Sequence, residues 1–170
     1  LGAIERTGYG AICHGRARWN GVAILAPGCD PVETHRGLPG DPDDSHSRYI
    51  EAEVDGLVVA SIYLPNGNPV GTEKFDYKLR WIDRLRAHAG ELLAEERPVV
   101  LAGDFNVVPE DRDVFSMRAA ANDALVQPET RAAWGKLMHQ GWTDALRAFY
   151  PDEDKLWTFW DYTAGAWQRD

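Results

Sequence analysis

Positive charge is what this chain has least of: 18 Lys and Arg stand against 27 Asp and Glu, for a formal net charge of −9. A polyanion is usually gripped by a broad basic surface, so this balance lowers the expectation of a nucleic-acid partner without removing it. A metal ion, backbone amides and a few placed Arg or Asn side chains bind phosphate locally, whatever the rest of the surface carries. Cysteine is scarce too. Cys13 and Cys29 have no spacing that fits a zinc site or a disulfide framework, so a reducing compartment is expected. No apolar run approaches the ~18 residues of a membrane span, and no charged-then-apolar leader opens the chain. Neither secretion nor membrane insertion is expected, which leaves the cytoplasm as the default location.

What is present is a core. Hydrophobic residues make up 44% of the 170, seven of them Trp, enough for one globular domain. The chain opens on Leu1 without an initiator Met and stops at Gln168-Arg169-Asp170, straight after a dense aromatic segment. Residues 1–170 are therefore expected to be the central part of a single domain with both ends cut.

Gly8 to Ala26 reads as two strands, with Asn20-Gly21 the preferred pair for a type I′ hairpin turn. Pro27 to Ser47 holds Gly, Pro, Asp and His with no periodicity and reads as a surface loop. Its acidic cluster, Asp41, Asp43 and Asp44, has Ala52 where a calcium loop needs its distal Glu, and is expected to be solvated. Tyr49 to Val54 and Leu57 to Tyr63 read as strands joined by a tight Asp55-Gly56 turn. Tyr63 to Pro69 leaves the sheet as a rigid polar loop. From Phe75 to Glu96, apolar residues recur at helical spacing, and Pro98 ends the helix. Val99 to Ala102 then reads as an apolar strand buried on both faces. Glu129 to Gly141 and Trp142 to Tyr150 suggest short helices whose aromatics belong to the core.

The stretch Leu101-Ala102-Gly103-Asp104-Phe105-Asn106 carries the most chemistry. Alternate residues of an extended chain point the same way, so Asp104 and Asn106 are expected to face one spot while Phe105 turns into the core. A carboxylate there takes a proton from water or helps hold a hard cation, and a carboxamide orients that water or a phosphate oxygen. This chemistry is metal-assisted hydrolysis of a phosphate ester. Alone, a Gly-Asp-x-Asn turn after a strand is more often plain turn chemistry.

Four further runs accompany Gly103-Asp104-Phe105-Asn106-Val107 in order: Asn20-Gly21-Val22-Ala23-Ile24-Leu25, Arg48-Tyr49-Ile50-Glu51-Ala52, Tyr63-Leu64-Pro65-Asn66-Gly67 and Thr158-Phe159-Trp160-Asp161-Tyr162. Together they resemble the exonuclease III/AP-endonuclease branch of the endonuclease–exonuclease–phosphatase superfamily, over nearly the whole chain. The resemblance implies an α/β fold, a four-layer sandwich of two packed mixed β-sheets flanked by helices, incomplete here. It implies a metal-dependent DNA repair nuclease with 3′-to-5′ exodeoxyribonuclease, abasic-site endonuclease and 3′-phosphatase activities, using Mg2+ or Mn2+. Asp104 matches the catalytic aspartate, with a metal contact in some descriptions, Asn106 the asparagine beside it, and Tyr63 the tyrosine near the scissile phosphate. Asn66 matches an asparagine that holds a substrate phosphate, and Arg48 a basic residue that supports the site or contacts the DNA backbone. Phe159 and Trp160 match aromatics that line a pocket for a base-less sugar.

The implied partner is duplex DNA with abasic sites or 3′ ends, with no membrane and a monomeric state. His14, His35, His46, His88 and His139 match no catalytic position. The family's N-terminal Asn and metal-binding Glu, its Asn-Gly-Leu-Arg-Ile-Asp-like run and its terminal Asp-His pair are absent from the chain. Two readings compete with the repair assignment: a superfamily relative acting on RNA or a phospholipid headgroup, and a non-catalytic DNA-binding fragment.

Overall fold

The computed structural model describes residues 2–15 and 20–159. They fall into two compact units, Leu1–Pro65 with Arg80–Asn106 and Asn66–Leu79 with Val107–Asp170. After a short helix α1 (Gly2–Glu5), the first unit carries strands β1 (Tyr9–Gly15), β2 (Gly21–Pro27), β3 (Val32–Arg36), β4 (Tyr49–Val54), β5 (Leu57–Tyr63) and β6 (Val99–Asp104). Strands β1 and β2 pair antiparallel, and the other four form a sheet in the order β3-β4-β5-β6. Only β5 and β6 run parallel, as their long connection through helix α2 (Glu73–Ala94) requires.

Strand alternation makes the layers. Val22 and Ile24 of β2 join Ile50 and Ala52 of β4 in one core, with Ile12, Val54, Val59 and Tyr63 packed on it. Each large aliphatic side chain buried this way contributes roughly 1.5–3 kcal/mol. Tyr49 and Glu51 point to the opposite face of β4, where residues 80–94 of α2 cover the sheet with Trp81, Ile82, Leu85, Ala89 and Leu92 buried at helical spacing. Asp76 and Glu73 in the first turn of α2 complement its dipole.

Most expected elements of this unit are present, with four corrections. Asp55 (φ 49) and Gly56 (φ 80) do form a two-residue turn between the paired Val54 and Leu57. The β1–β2 hairpin forms too, but Gly15 pairs with Gly21, so residues 16–20 connect the strands and Asn20-Gly21 is not a type I′ turn. Asn20 (φ 42) instead accepts a hydrogen bond from the Ser47 backbone N–H at 3.1 Å. The expected surface loop contains β3, an edge strand whose residues are all exposed and which carries a bulge between Glu33 and His35, so it has no hydrophobic alternation to read. Asp44 is not solvated: its side chain is 5% exposed and paired with Arg84 at 2.7 Å. Finally, β6 is not buried on both faces, because it is the edge of the described sheet and Val100 is 43% exposed.

In the second unit a single 3-10 turn (Asp111–Asp113) precedes α3 (Met117–Ala120), α4 (Pro128–Met138) and α5 (Ala145–Phe149). Val108, Val114, Leu125 and Val126 form its core with Met117, Ala120 and Phe159. Buried Asp113 accepts from Arg147 at 2.5 Å and from the Glu110 backbone N–H at 2.8 Å. The aromatics expected in the core around α5 are not there: Phe149 is 79% and Tyr150 55% exposed. This short helix is held by its Asp144 cap and by Arg147 rather than by an apolar face. No helix among the described residues is long and apolar enough to cross a membrane.

Candidate active site

The parallel register of β5 and β6 sets Tyr63 opposite Asp104 at the ends of both strands. One position earlier, Gly103 opposes Ile62 at φ +135, where a Cβ would lie 2.1 Å from the Ile62 carbonyl oxygen. Only glycine lets the two backbones approach this closely. The glycine of the motif therefore fixes the level at which Asp104 leaves the sheet.

Asp104 and Asn106 meet by turn chemistry rather than by strand alternation. The strand ends at Asp104, and Asn106 adopts φ 46. Its backbone N–H donates to Asp104 Oδ1 at 2.9 Å, and its Nδ2 donates to Asp104 Oδ2 at 3.1 Å and to the Leu64 carbonyl at 2.8 Å. The Leu64 N–H returns a bond to the Asp104 carbonyl at 2.8 Å. Both carboxylate oxygens are thus aimed, while the residue as a whole is exposed. Phe105 is half-buried rather than turned fully into the core.

Tyr63 is steadied from the neighbouring strand. Arg48 Nη1 donates to the Tyr63 carbonyl at 3.2 Å, and the Tyr63 N–H donates to the Arg48 carbonyl at 2.8 Å. The Arg48 guanidinium carbon lies 4.8 Å from the centre of the Tyr63 ring, within cation–π range. Arg48, Tyr63, Asp104 and Asn106 accordingly gather at one end of the first unit's sheet.

Asn66 belongs to the second unit. It is exposed, its Oδ1 accepts from the Asn68 N–H at 3.2 Å, and its carbonyl accepts from Lys78 Nζ at 3.1 Å. The loop is rigid as expected, but the residues that pin it were not foreseen from the sequence. Asn68 Nδ2 donates to Asp123 at 3.0 Å and its Oδ1 accepts from the Ala124 N–H at 2.9 Å, while buried Lys78 packs under Gly67. Partners 55 and 56 residues away leave no local signal. Phe159 is half-buried against the second core, and Trp160 lies outside the described residues.

The oxygens of Asp104 and Asn106 suit a hard cation such as Mg2+, which prefers carboxylate and carbonyl donors. Two such residues supply only part of a six-oxygen shell, so most of its ligands would be water, phosphate or other donors.

A model of the endonuclease/exonuclease/phosphatase family matches residues 3–170. An exodeoxyribonuclease of Bacillus subtilis is 30% identical over 152 residues, which is 89% of this chain and 59% of that protein. A solved AP endonuclease from Archaeoglobus fulgidus superposes with a TM-score of 0.89 at 34% identity, covering 99% of this chain and 65% of that one. The 3′ phosphatase NExo from Neisseria, solved with a product DNA hairpin, gives 0.92 at 32% identity, covering 99% and 65%. The chain thus spans about two thirds or less of the length of these relatives. With a family match over nearly its whole length and the Gly103–Asn106 strand end in place, the chain belongs to the endonuclease/exonuclease/phosphatase family.

Proposed function

We propose that the protein is a metal-dependent DNA repair nuclease that hydrolyses phosphodiesters of duplex DNA at abasic sites and 3′ ends, with 3′-phosphatase activity. The observation that carries this reading is the strand end itself: Asp104 set opposite Tyr63 by the parallel register, with both its oxygens oriented by Asn106. The relatives named above, an exodeoxyribonuclease, an AP endonuclease and a 3′ phosphatase on DNA, support the choice of DNA.

In this reading Asp104 orients the attacking water and takes its proton. Asn106 keeps that carboxylate in place through its backbone N–H and side-chain amide. Tyr63 offers its phenol to the phosphate oxygens, and Arg48 holds the Tyr63 ring and backbone. Asp104 and Asn106 would also contribute to holding Mg2+ or Mn2+, which neutralises charge on the scissile phosphate and the leaving oxygen. Asn66 contributes a phosphate contact, Phe159 and Trp160 an apolar surface for the sugar, and the active unit is a monomer acting in the cytoplasm.

The test is incision of a duplex with one abasic site by the complete gene product, in Mg2+ and in EDTA, beside Asp104→Ala. The expected result is Mg2+-dependent cutting that falls by roughly 10²–10⁴ in the variant, the range for loss of a general base. A well-folded protein that does not cut overturns the assignment. The net charge of −9 weighs against a polyanionic substrate and favours the second reading as a phospholipid headgroup, and sphingomyelin in the same assay would then be cleaved.

A further inference from the structure

On the α2 side of the sheet, away from the strand end, lies a second cluster of donors that the proposed reaction does not use. His35 Nδ1 sits 3.0 Å from Glu51 Oε1, and His88 Nε2 sits 2.7 Å from Glu51 Oε2. One ligand atom from each of the three residues falls within 4.8 Å of the others. From this geometry we infer that His35, Glu51 and His88 form a site for a zinc-class divalent cation, separate from the strand end at Asp104.

Four features carry the inference. Two imidazole nitrogens and one carboxylate are a His2Glu donor set, which zinc accepts with a fourth position left for water. A tetrahedron with arms of ~2.0–2.1 Å has edges of roughly 3.4 Å, so the contacts at 2.7 and 3.0 Å would open by about 0.4–0.7 Å. The outer shell is already built: Thr34 and Tyr49 hydroxyls donate to the two Glu51 oxygens at 2.6 Å each, and the Glu91 carboxylate lies 3.4 Å from His88 Nδ1, leaving Nε2 for the ion. An entry path exists as well, since the Glu51 and His88 side chains are 3% and 5% exposed but that of His35 is 47% exposed. Each imidazole binds as the neutral base, so any proton on a liganding nitrogen leaves to solvent and no oxidant or reductant is needed.

The competing view is a purely structural ion pair between β4 and α2. Zinc competition between the metal-free protein and a chromophoric chelator separates the two, with Cys13→Ser and Cys29→Ser in every sample so that thiols do not contribute. The expected result is one zinc per chain, not displaced by excess Mg2+. His35→Ala, at an exposed side chain, is expected to weaken binding at least about tenfold with an unchanged thermal melt, while Asp104→Ala leaves it intact. Co2+ in place of zinc should give the visible spectrum of a four- or five-coordinate nitrogen and oxygen site, lost in His35→Ala. No stoichiometric zinc, or equal binding by His35→Ala, overturns the proposal.

Discussion

Glu51 and Asp104 are two carboxylates of one sheet, and their surroundings are opposite. Glu51 is buried between β4 and α2, where Thr34, His35, Tyr49 and His88 all bond to it. Burial by itself pushes its carboxyl up, but the hydrogen bonds from His88, Thr34, Tyr49 and His35 outweigh this and hold it well below the usual carboxylate range. Burial likewise disfavours a charged His88, yet the Glu51 carboxylate beside it, with help from Glu91, raises that imidazole. Asp104 is exposed, and its side chain accepts hydrogen bonds from Asn106. A carboxylate with its lone pairs taken by four protein donors packs β4 against α2; one left open to water is available to a proton or a metal ion.

Glu51 carries the largest expected effect. Truncation in Glu51→Ala strands His88 and the Tyr49 hydroxyl in the interior, and is expected to cost about 3–5 kcal/mol in urea unfolding of the metal-free protein. A cost below about 1 kcal/mol would mean that water enters freely and the cluster is not a staple. Next in size comes Gly103→Ala. Its new Cβ would meet Ile62 backbone at 2.1 Å, and its φ of +135 is unfavourable for alanine. Overpacking and strain together predict about 2–4 kcal/mol by the same method. Because the clash is with main chain, relief has to come from a shift of β6, so incision is expected to fall along with stability.

Third is Arg48, where the question is whether it grips DNA or holds Tyr63. Arg48→Met keeps most of the stem but removes the ring contact and the bond to the Tyr63 carbonyl, for about 1 kcal/mol of stability. If Arg48 positions Tyr63, kcat for incision falls while KM and its salt dependence stay put. A raised KM with a salt slope smaller by about one would instead make Arg48 a phosphate contact.

Much of this was legible in the sequence because its cues are local. Asp55-Gly56 fixes a turn by residue type alone, and the Phe75–Glu96 periodicity marks a helix that runs from Glu73 to Ala94. Gly103-Asp104-Phe105-Asn106 gave the strand end, although Asn106 reaches Asp104 through a positive φ that alternation does not foresee. What stayed hidden is non-local. Val32–Arg36 pairs with β4 while exposing every side chain, so nothing apolar marks it as a strand. Glu51 and His88 are 37 residues apart, and no spacing rule brings them together. Asn20-Gly21 misled because register, set by the whole length of β1 and β2, overrode a favourable dipeptide.

The smallest stability effect should belong to Asp104→Ala, and it is the sharpest test of the contrast with Glu51. The substitution removes the acceptor for the Asn106 N–H and amide, both at a solvent-accessible strand end where water replaces the lost oxygen. About 0.5–1 kcal/mol is expected in urea unfolding, the net worth of a hydrogen bond that solvent can substitute. The backbone bond from the Leu64 N–H to the Asp104 carbonyl survives any side chain, so the end of β6 stays in place. A loss near that of Glu51→Ala would show that Asp104 is itself a staple, and a fall in incision would then follow from disorder rather than chemistry. A loss within the expected range, beside incision reduced by two orders of magnitude or more, would leave proton transfer and metal holding as the work of this carboxylate.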